Sequence, residues 1–235
     1  MAQLIEFFPE SKEVELQVPH PVPARTVIPE WYKESKSFYN GNKMTFDENC
    51  TVETTIKQCM PVLDVLTAGY VQTSWTELYI EDKGDDFFYA FPNGPIPVRS
   101  RTMSAFQQMP IPEGFHSQVF TWQRYWGIKT PSGYSTLIMT PSYRDDLPFR
   151  CVSGIIDTDS HHRAGAVSFF VRRGFTGVIP IGTPLFQMIP FKRDDWKSAK
   201  RTFEEHQKLN EERINVRNFL VGGYKKLYWK RKSFE

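Results

Sequence analysis

The sequence has only three cysteines, Cys50, Cys59 and Cys151, odd in number and far apart. That excludes a disulfide framework and a cysteine-based zinc pattern, and it fits a reducing interior. No H-E-x-x-H, H-x-D facial triad or P-loop occurs anywhere in the chain. Long apolar runs are missing too. The most apolar window, Gly177 to Phe191, contains Pro180, Pro184 and Pro190 and is too short to span a bilayer. The opening "MAQLIEFFPE" has neither a basic n-region nor an apolar h-region, so export is not encoded. Charge of one sign is not in excess: 29 Lys and Arg face 27 Asp and Glu, a net +2. Nothing global therefore calls for nucleic acid or acidic lipid as partner. Together these lacks imply a soluble protein of a cell interior, or of something assembled there.

What is present is a globular composition. The 235 residues are 40% hydrophobic and 15% aromatic, enough for one domain with a good core, or one domain plus an appendage. In the N-terminal 1–44 segment, prolines 19, 21, 23 and 29 of "VPHPVPARTVIPEWYK" favour extended backbone lying on the core, anchored by Trp31 and Tyr32. "KQCMPVLDVLTAGY" predicts a short helix, with Pro61 in the first turn and Gly69 as a left-handed C-cap. "YVQTSWTELYIED" and "DFFYAF", joined by "DKGD", read as a hairpin.

"SQVFTWQRYWGIKT", "YSTLIMT", "FRCVSGIID", "AGAVSFFV" and "TPLFQMIPF" follow at spacings of a strand plus a turn. The expectation for 45–193 is a mainly β domain, a barrel or sandwich. From 194 to 235 the character changes. "DDWKSAKRTFEEHQKLNEERINVRNFLV" has no proline or glycine, so a long helix is expected over Asp194–Val221, ended by Gly222-Gly223. Trp196, Ala199 and Phe203 make one narrow apolar stripe on it, and Leu209, Val216 and Leu220 a second, shifted one.

Thr130–Arg193 runs through a Pro-Gly turn, a strand ending in "TPS", a second strand reaching "GIID", a turn, "AGAVSFFV", and then "IGTPLFQMIPF". This order resembles the central half of the dUTPase and dCTP deaminase superfamily, the β-clip fold, over about a quarter of the chain. The resemblance implies roles for individual residues. Asp157 stands where dUTPases keep the carboxylate that activates the attacking water, and Gln187 where they keep a phosphate-contacting glutamine. The Arg-Ser phosphate motif has become "PSYRD", which leaves Arg144 as a displaced phosphate candidate.

Other positions depart from the pattern. Ser160, His161 and His162 follow Asp159 where a sugar-stacking tyrosine belongs, Phe170 falls near the deaminase glutamate, and the Gly-rich closing arm is absent. The scaffold signal is kept while the nucleotide chemistry is eroded. The resemblance also implies a homo-oligomer, commonly a trimer. Across "IPEWYK", "KQCMPVLDVLTAGY", "WGIKTPSGYS", "GIIDTD" and "GTPLFQMIPFKR" the whole chain is similar to a protein family of tailed bacteriophages, which implies an origin and no activity.

Residue by residue, two readings stand side by side. Asp157 and Asp159 share a face if extended, and either satisfy turn donors or contact a ligand together with Gln187 and Arg144. His161 and His162 are adjacent and lack chelating spacing, so no metal site is expected. Trp122, Tyr125 and Trp126 are core and rim, or a stacking platform. The "YKKLYWKRKSFE" tail, Tyr224–Phe234 within it, is a solvated or docking segment, or a nucleic-acid contact.

Three functions follow. The first is a non-catalytic phage-encoded structural or accessory protein acting through protein–protein contacts, in the host cytoplasm or the virion, with no cofactor and no membrane partner. The second is a nucleotide-binding or nucleotide-hydrolysing enzyme, with Asp157 catalytic and Mg²⁺ as cofactor. The third is a nucleic-acid-binding accessory protein. The first is preferred, because fold likeness alone carries no chemistry.

Overall fold

A computed structural model describes residues 3–41, 43–84, 86–101, 109–211 and 219–235. The chain is mainly β, with 36% strand against 18% helix, and its strands pair antiparallel. It divides into two compact units. One comprises Met1–Val27 and Gly69–Arg193, the other Ile28–Ala68 and Asp194–Glu235. The expected break at 193/194 is among these divisions, the one at 44/45 is not, and the others fall at 27/28 and 68/69. Residues 45–68 group with the C-terminal segment, and the first 27 residues group with the strands.

The first unit holds all fourteen strands of the described residues. A five-stranded sheet has the order β11(Gly154–Ile156)-β9(Tyr134–Met139)-β14(Pro184–Lys192)-β3(Tyr70–Thr73)-β2(Val22–Pro23). A four-stranded sheet runs β10(Phe149–Cys151)-β12(Gly165–Arg172)-β7(Phe115–Arg124)-β6(Val98–Arg101). Three strands, β13(Thr176–Ile179)-β4(Leu78–Asp82)-β5(Phe87–Ala90), and the pair β1(Glu6–Pro9)-β8(Trp126–Lys129) complete it.

Among the described residues none of these sheets closes, so the barrel is not what forms. The reason is local. "FRCVSGIID" does not run as one strand. It breaks at Val152–Ser153, sending β10 to one sheet and β11 to another. Thr140 seals the free edge of β10, since its hydroxyl accepts from the Cys151 N–H at 2.8 Å and thereby blunts a template for further pairing.

The N-terminal prolines leave room for more than an extended wrap. β1 pairs with β8 and β2 with β3. Between them α1(Lys12–Gln17) starts at Ser11, whose side chain accepts from the Val14 N–H. The β4–β5 hairpin forms as its sequence implies, with Tyr79 opposite Ala90 and Asp82 opposite Phe87; Asp85 of its turn lies outside the described residues.

The core is aromatic. Trp122 on β7 stacks on Phe169 of β12, centroids 4.0 Å apart and planes 8° from parallel. Phe149 of β10 meets Trp122 edge-on at 5.0 Å. Trp122 and Trp126 are both buried, so the stacking-platform reading has no exposed indole to use. Arg124 is buried as well. Its guanidinium donates to the carbonyls of Trp126 (3.0 Å) and Arg163 (2.8 Å), and burial pulls its pKa down to about 10. That guanidinium pins the end of the 157–163 turn to β7.

The second unit is built differently. α2(Glu30–Glu34) follows Pro29, and α3(Met60–Thr67) starts with Pro61 in its first turn. Tyr32, Val62 and Leu66 make its small core, with Ile28, Cys59 and Leu63 packed on it. Gly69, just past α3, has φ +68° as its C-cap role requires. A Cβ there would also stand 2.0 Å from the Met188 carbonyl oxygen, so no other residue fits.

The long C-terminal helix is not seen as expected. Asp194–Thr202 are not helical, and α4 spans Phe203–Glu211. A capping box sets that start: Thr202 Oγ1 accepts from the Glu205 N–H (3.3 Å) while the Glu205 carboxylate accepts from the Thr202 N–H (2.9 Å). Val216 and its neighbours lie outside the described residues. Gly222 caps the start of a further short helix, α5(Gly223–Leu227), instead of ending a preceding one. No helix of the described residues is long and apolar enough to cross a membrane.

Candidate functional site

The acidic turn is positioned by β9, the strand flanked by β11 and β14. Ile156 on β11 lies opposite Thr136, so Asp157 emerges beside Ser135. Lys192 on β14 lies opposite Tyr134, so Arg193 emerges beside Gly133, whose carbonyl accepts from the Arg193 N–H at 2.7 Å. Two edges thus deliver one cation and two carboxylates to the same end of the sheet.

The side chains close on each other there. The Ser135 hydroxyl donates to Asp157 Oδ1 at 2.6 Å, and Arg193 Nη1 lies 3.1 Å from the same oxygen. The Arg193 fork takes both oxygens of Asp159, with Nη1 donating to Oδ1 at 3.0 Å and Nη2 to Oδ2. The Gly133 N–H also donates to Asp159 Oδ2, at 2.9 Å. Hydrogen bonds from Arg193, and then from the Gly133 N–H, hold the Asp159 carboxyl below its ordinary range, and Asp159 in turn raises Arg193.

Thr158, between the aspartates, points the other way into the core. Its hydroxyl bridges those of Thr130 (2.8 Å) and Thr136 (2.9 Å). The alternation read from sequence therefore places Asp157 and Asp159 on one side, where the shared partner is Arg193. The turn is further tied by the Ser160 and His161 N–H groups, which donate to the Asp157 carbonyl at 3.1 and 2.8 Å. Asp159 is the embedded member, with 10% of its side chain exposed against 62% for Asp157. His161 and His162 are exposed. Among the described residues there is no group of three or more His, Cys, Asp or Glu arranged to hold a metal.

Gln187 and Arg144 belong to a second cluster. Gln187, on β14, is buried, and its Oε1 accepts from both the N–H and the hydroxyl of Ser142, each at 2.9 Å. Arg144 forms a two-pronged pair with Asp146, Nε to Oδ1 and Nη2 to Oδ2, both 2.7 Å. Those bonds lower the Asp146 pKa. Cys151, behind the same loop, is buried, and burial pushes its thiol up to about 12, which removes it as a nucleophile at neutral pH.

The four residues singled out from sequence thus fall into two clusters, Asp157 with Asp159, and Gln187 with Arg144. Sequence reading missed Arg193 as the partner of both aspartates and Ser142 as the partner of Gln187. The signal for Arg193 lay in its position one residue past β14, because antiparallel pairing with β9 carries that residue to the Gly133 turn. Ser142 sits in "TPSYRD" with no local cue. No family model matches this chain, and no curated protein sequence matches it.

Proposed function

We propose that this chain is a non-catalytic structural or accessory protein that works by contact with other protein, phage-encoded as the resemblance implies, in the host cytoplasm or the virion. Its first unit is read as a β-clip scaffold in the same proposal, supported by the antiparallel β9–β11 and β9–β14 pairings. One observation carries the functional reading. Apolar side chains of the C-terminal segment stand in solvent: Trp196 is 89% exposed, Phe203 67%, Leu209 63% and Leu220 72%. Large apolar groups left out of a core on one short stretch mark a contact surface.

The favoured partner is a second copy of the chain, in a homo-oligomer such as a trimer. Burying those four side chains against a neighbour contributes on the order of several kcal/mol before the ordering cost. The acidic turn supports the same reading from the other side, because its carboxylates are engaged by Arg193, Ser135 and Gly133. Cross-linking mass spectrometry of the full chain tests this. Lys197 and Lys200, both exposed in the same segment, should cross-link between isotopically mixed copies. Links confined to single copies would count against self-association.

A further inference from the structure

We propose that the open cleft between the Thr140–Leu147 loop and strand β10 binds a small organic anion, its phosphate or carboxylate head held by Arg150 and Arg172 and its apolar body resting on Tyr143 at the rim. The cleft has a volume of about 550 Å³, within the range usual for small-molecule sites. This inference does not depend on the docking reading.

Charge decides the ligand class. Three guanidinium groups line the cleft, those of Arg144, Arg150 and Arg172. Arg144 is neutralised by its two-pronged pair with Asp146. Arg150 and Arg172 have no carboxylate partner among the described residues. Arg150 projects outward from β10 between Phe149 and Cys151, which are both buried. Arg172 is already oriented, with one Nη2 donating to the Asp145 carbonyl at 3.0 Å and its guanidinium 5.3 Å from the centre of the Phe115 ring. Two unneutralised forks in one concavity suit an oxyanion with several acceptor oxygens. Asp145 also lines the cleft and brings one opposing charge against the two arginines.

The rim is fixed before any ligand arrives. Gln187 holds Ser142 by two hydrogen bonds, and Thr140 holds the backbone of Cys151. Tyr143, next to Ser142, sits at φ +55°, a conformation that an L-residue keeps only when its surroundings enforce it. A pre-set rim reduces the ordering cost of binding. Tyr143, 47% exposed, supplies aromatic surface that inorganic phosphate cannot use, so an aryl-bearing anion should bind better than the bare ion.

The test is calorimetric titration of the full chain at constant ionic strength with inorganic phosphate, phenyl phosphate and benzoate. Saturable one-to-one binding of phenyl phosphate or benzoate is expected, tighter than that of inorganic phosphate; the stronger of the two identifies the head group. Arg150→Gln and Arg172→Gln should each weaken it by about tenfold or more, and Arg163→Gln, an exposed arginine outside the cleft, should leave it unchanged. Arg150→Lys keeps the charge without the fork and should fall between. Thermal midpoints of the free variants, all at exposed positions, report that they fold. Failure of all three probes to saturate overturns the proposal, as does wild-type affinity in both glutamine variants.

Discussion

The two units spend their side chains in opposite ways. In the first, groups that look chemical in sequence are consumed by the fold: Asp159 by Arg193 and Gly133, Thr158 by Thr130 and Thr136, Gln187 by Ser142. In the second, Tyr32, Val62 and Leu66 form a small core, while Trp196, Phe203 and Leu209 stay exposed. A β unit that ties its acidic turn and Gln187 internally acts as a scaffold, with Arg150 and Arg172 of the cleft as its open charges. A segment that leaves apolar groups unsatisfied is a surface waiting for a partner. The difference teaches that the residues which suggest ancestry and those which carry the proposed contacts lie in different parts of the chain.

The largest effect should come from the aromatic core of the first unit. Trp122→Ala removes a fully buried ring stacked on Phe169, and a loss of about 3–5 kcal/mol in urea unfolding is expected. The matching change in the second unit, Trp196→Ala, should stay within about 0.5 kcal/mol when unfolding is followed at concentrations low enough to keep the chain monomeric, because the side chain is exposed there. Equal losses would erase the comparison.

Gly69→Ala comes next. The left-handed φ alone costs about 1–2 kcal/mol, and the Met188 carbonyl in the path of the new Cβ adds to it. Smaller still is Asp64→Ala in the second unit, where the carboxylate accepts from Trp229 Nε1 and pairs with Lys232 at a partly exposed site. About 1 kcal/mol or less is expected there.

The acidic turn gives a pH signature that sharpens the contrast. Because the Asp159 carboxyl is held below its ordinary range, it stabilises the fold at neutral pH. That contribution is full above the unfolded-state pKa and is lost as pH falls through the lower folded value. Asp159→Asn should therefore flatten the acid limb of a thermal-midpoint titration, and an unchanged limb would contradict the brace.

Much of the first unit, and α3 of the second, was legible from local pattern. The β4–β5 hairpin, α3 with Pro61 and Gly69, and strands β9, β12 and β14 all follow from alternation and turn residues that act over a few positions. What was hidden depends on distant pairing. That Val152–Ser153 divides one apolar run between two sheets is decided by the partners β12 and β9, which no local window contains. The convergence of Arg193 on Asp159 is likewise a matter of register, thirty-odd residues apart in the chain. The C-terminal segment misled for another reason. Absence of proline and glycine permits helix without placing its start, and the Thr202–Glu205 capping box fixes α4 eight residues or so later than Asp194. Thr-Phe-Glu-Glu was readable as that signature in advance.

Light scattering of the purified chain in three forms tests most directly whether contact, and not the acidic turn, carries the function. The forms are the natural sequence, the Trp196→Ser/Phe203→Ser/Leu209→Ser triple variant, and Asp157→Asn. The account predicts an oligomer at tens of micromolar for the natural chain and for Asp157→Asn, and a monomer for the triple variant. A natural chain that is monomeric throughout, or a triple variant that assembles as the natural chain does, would contradict it.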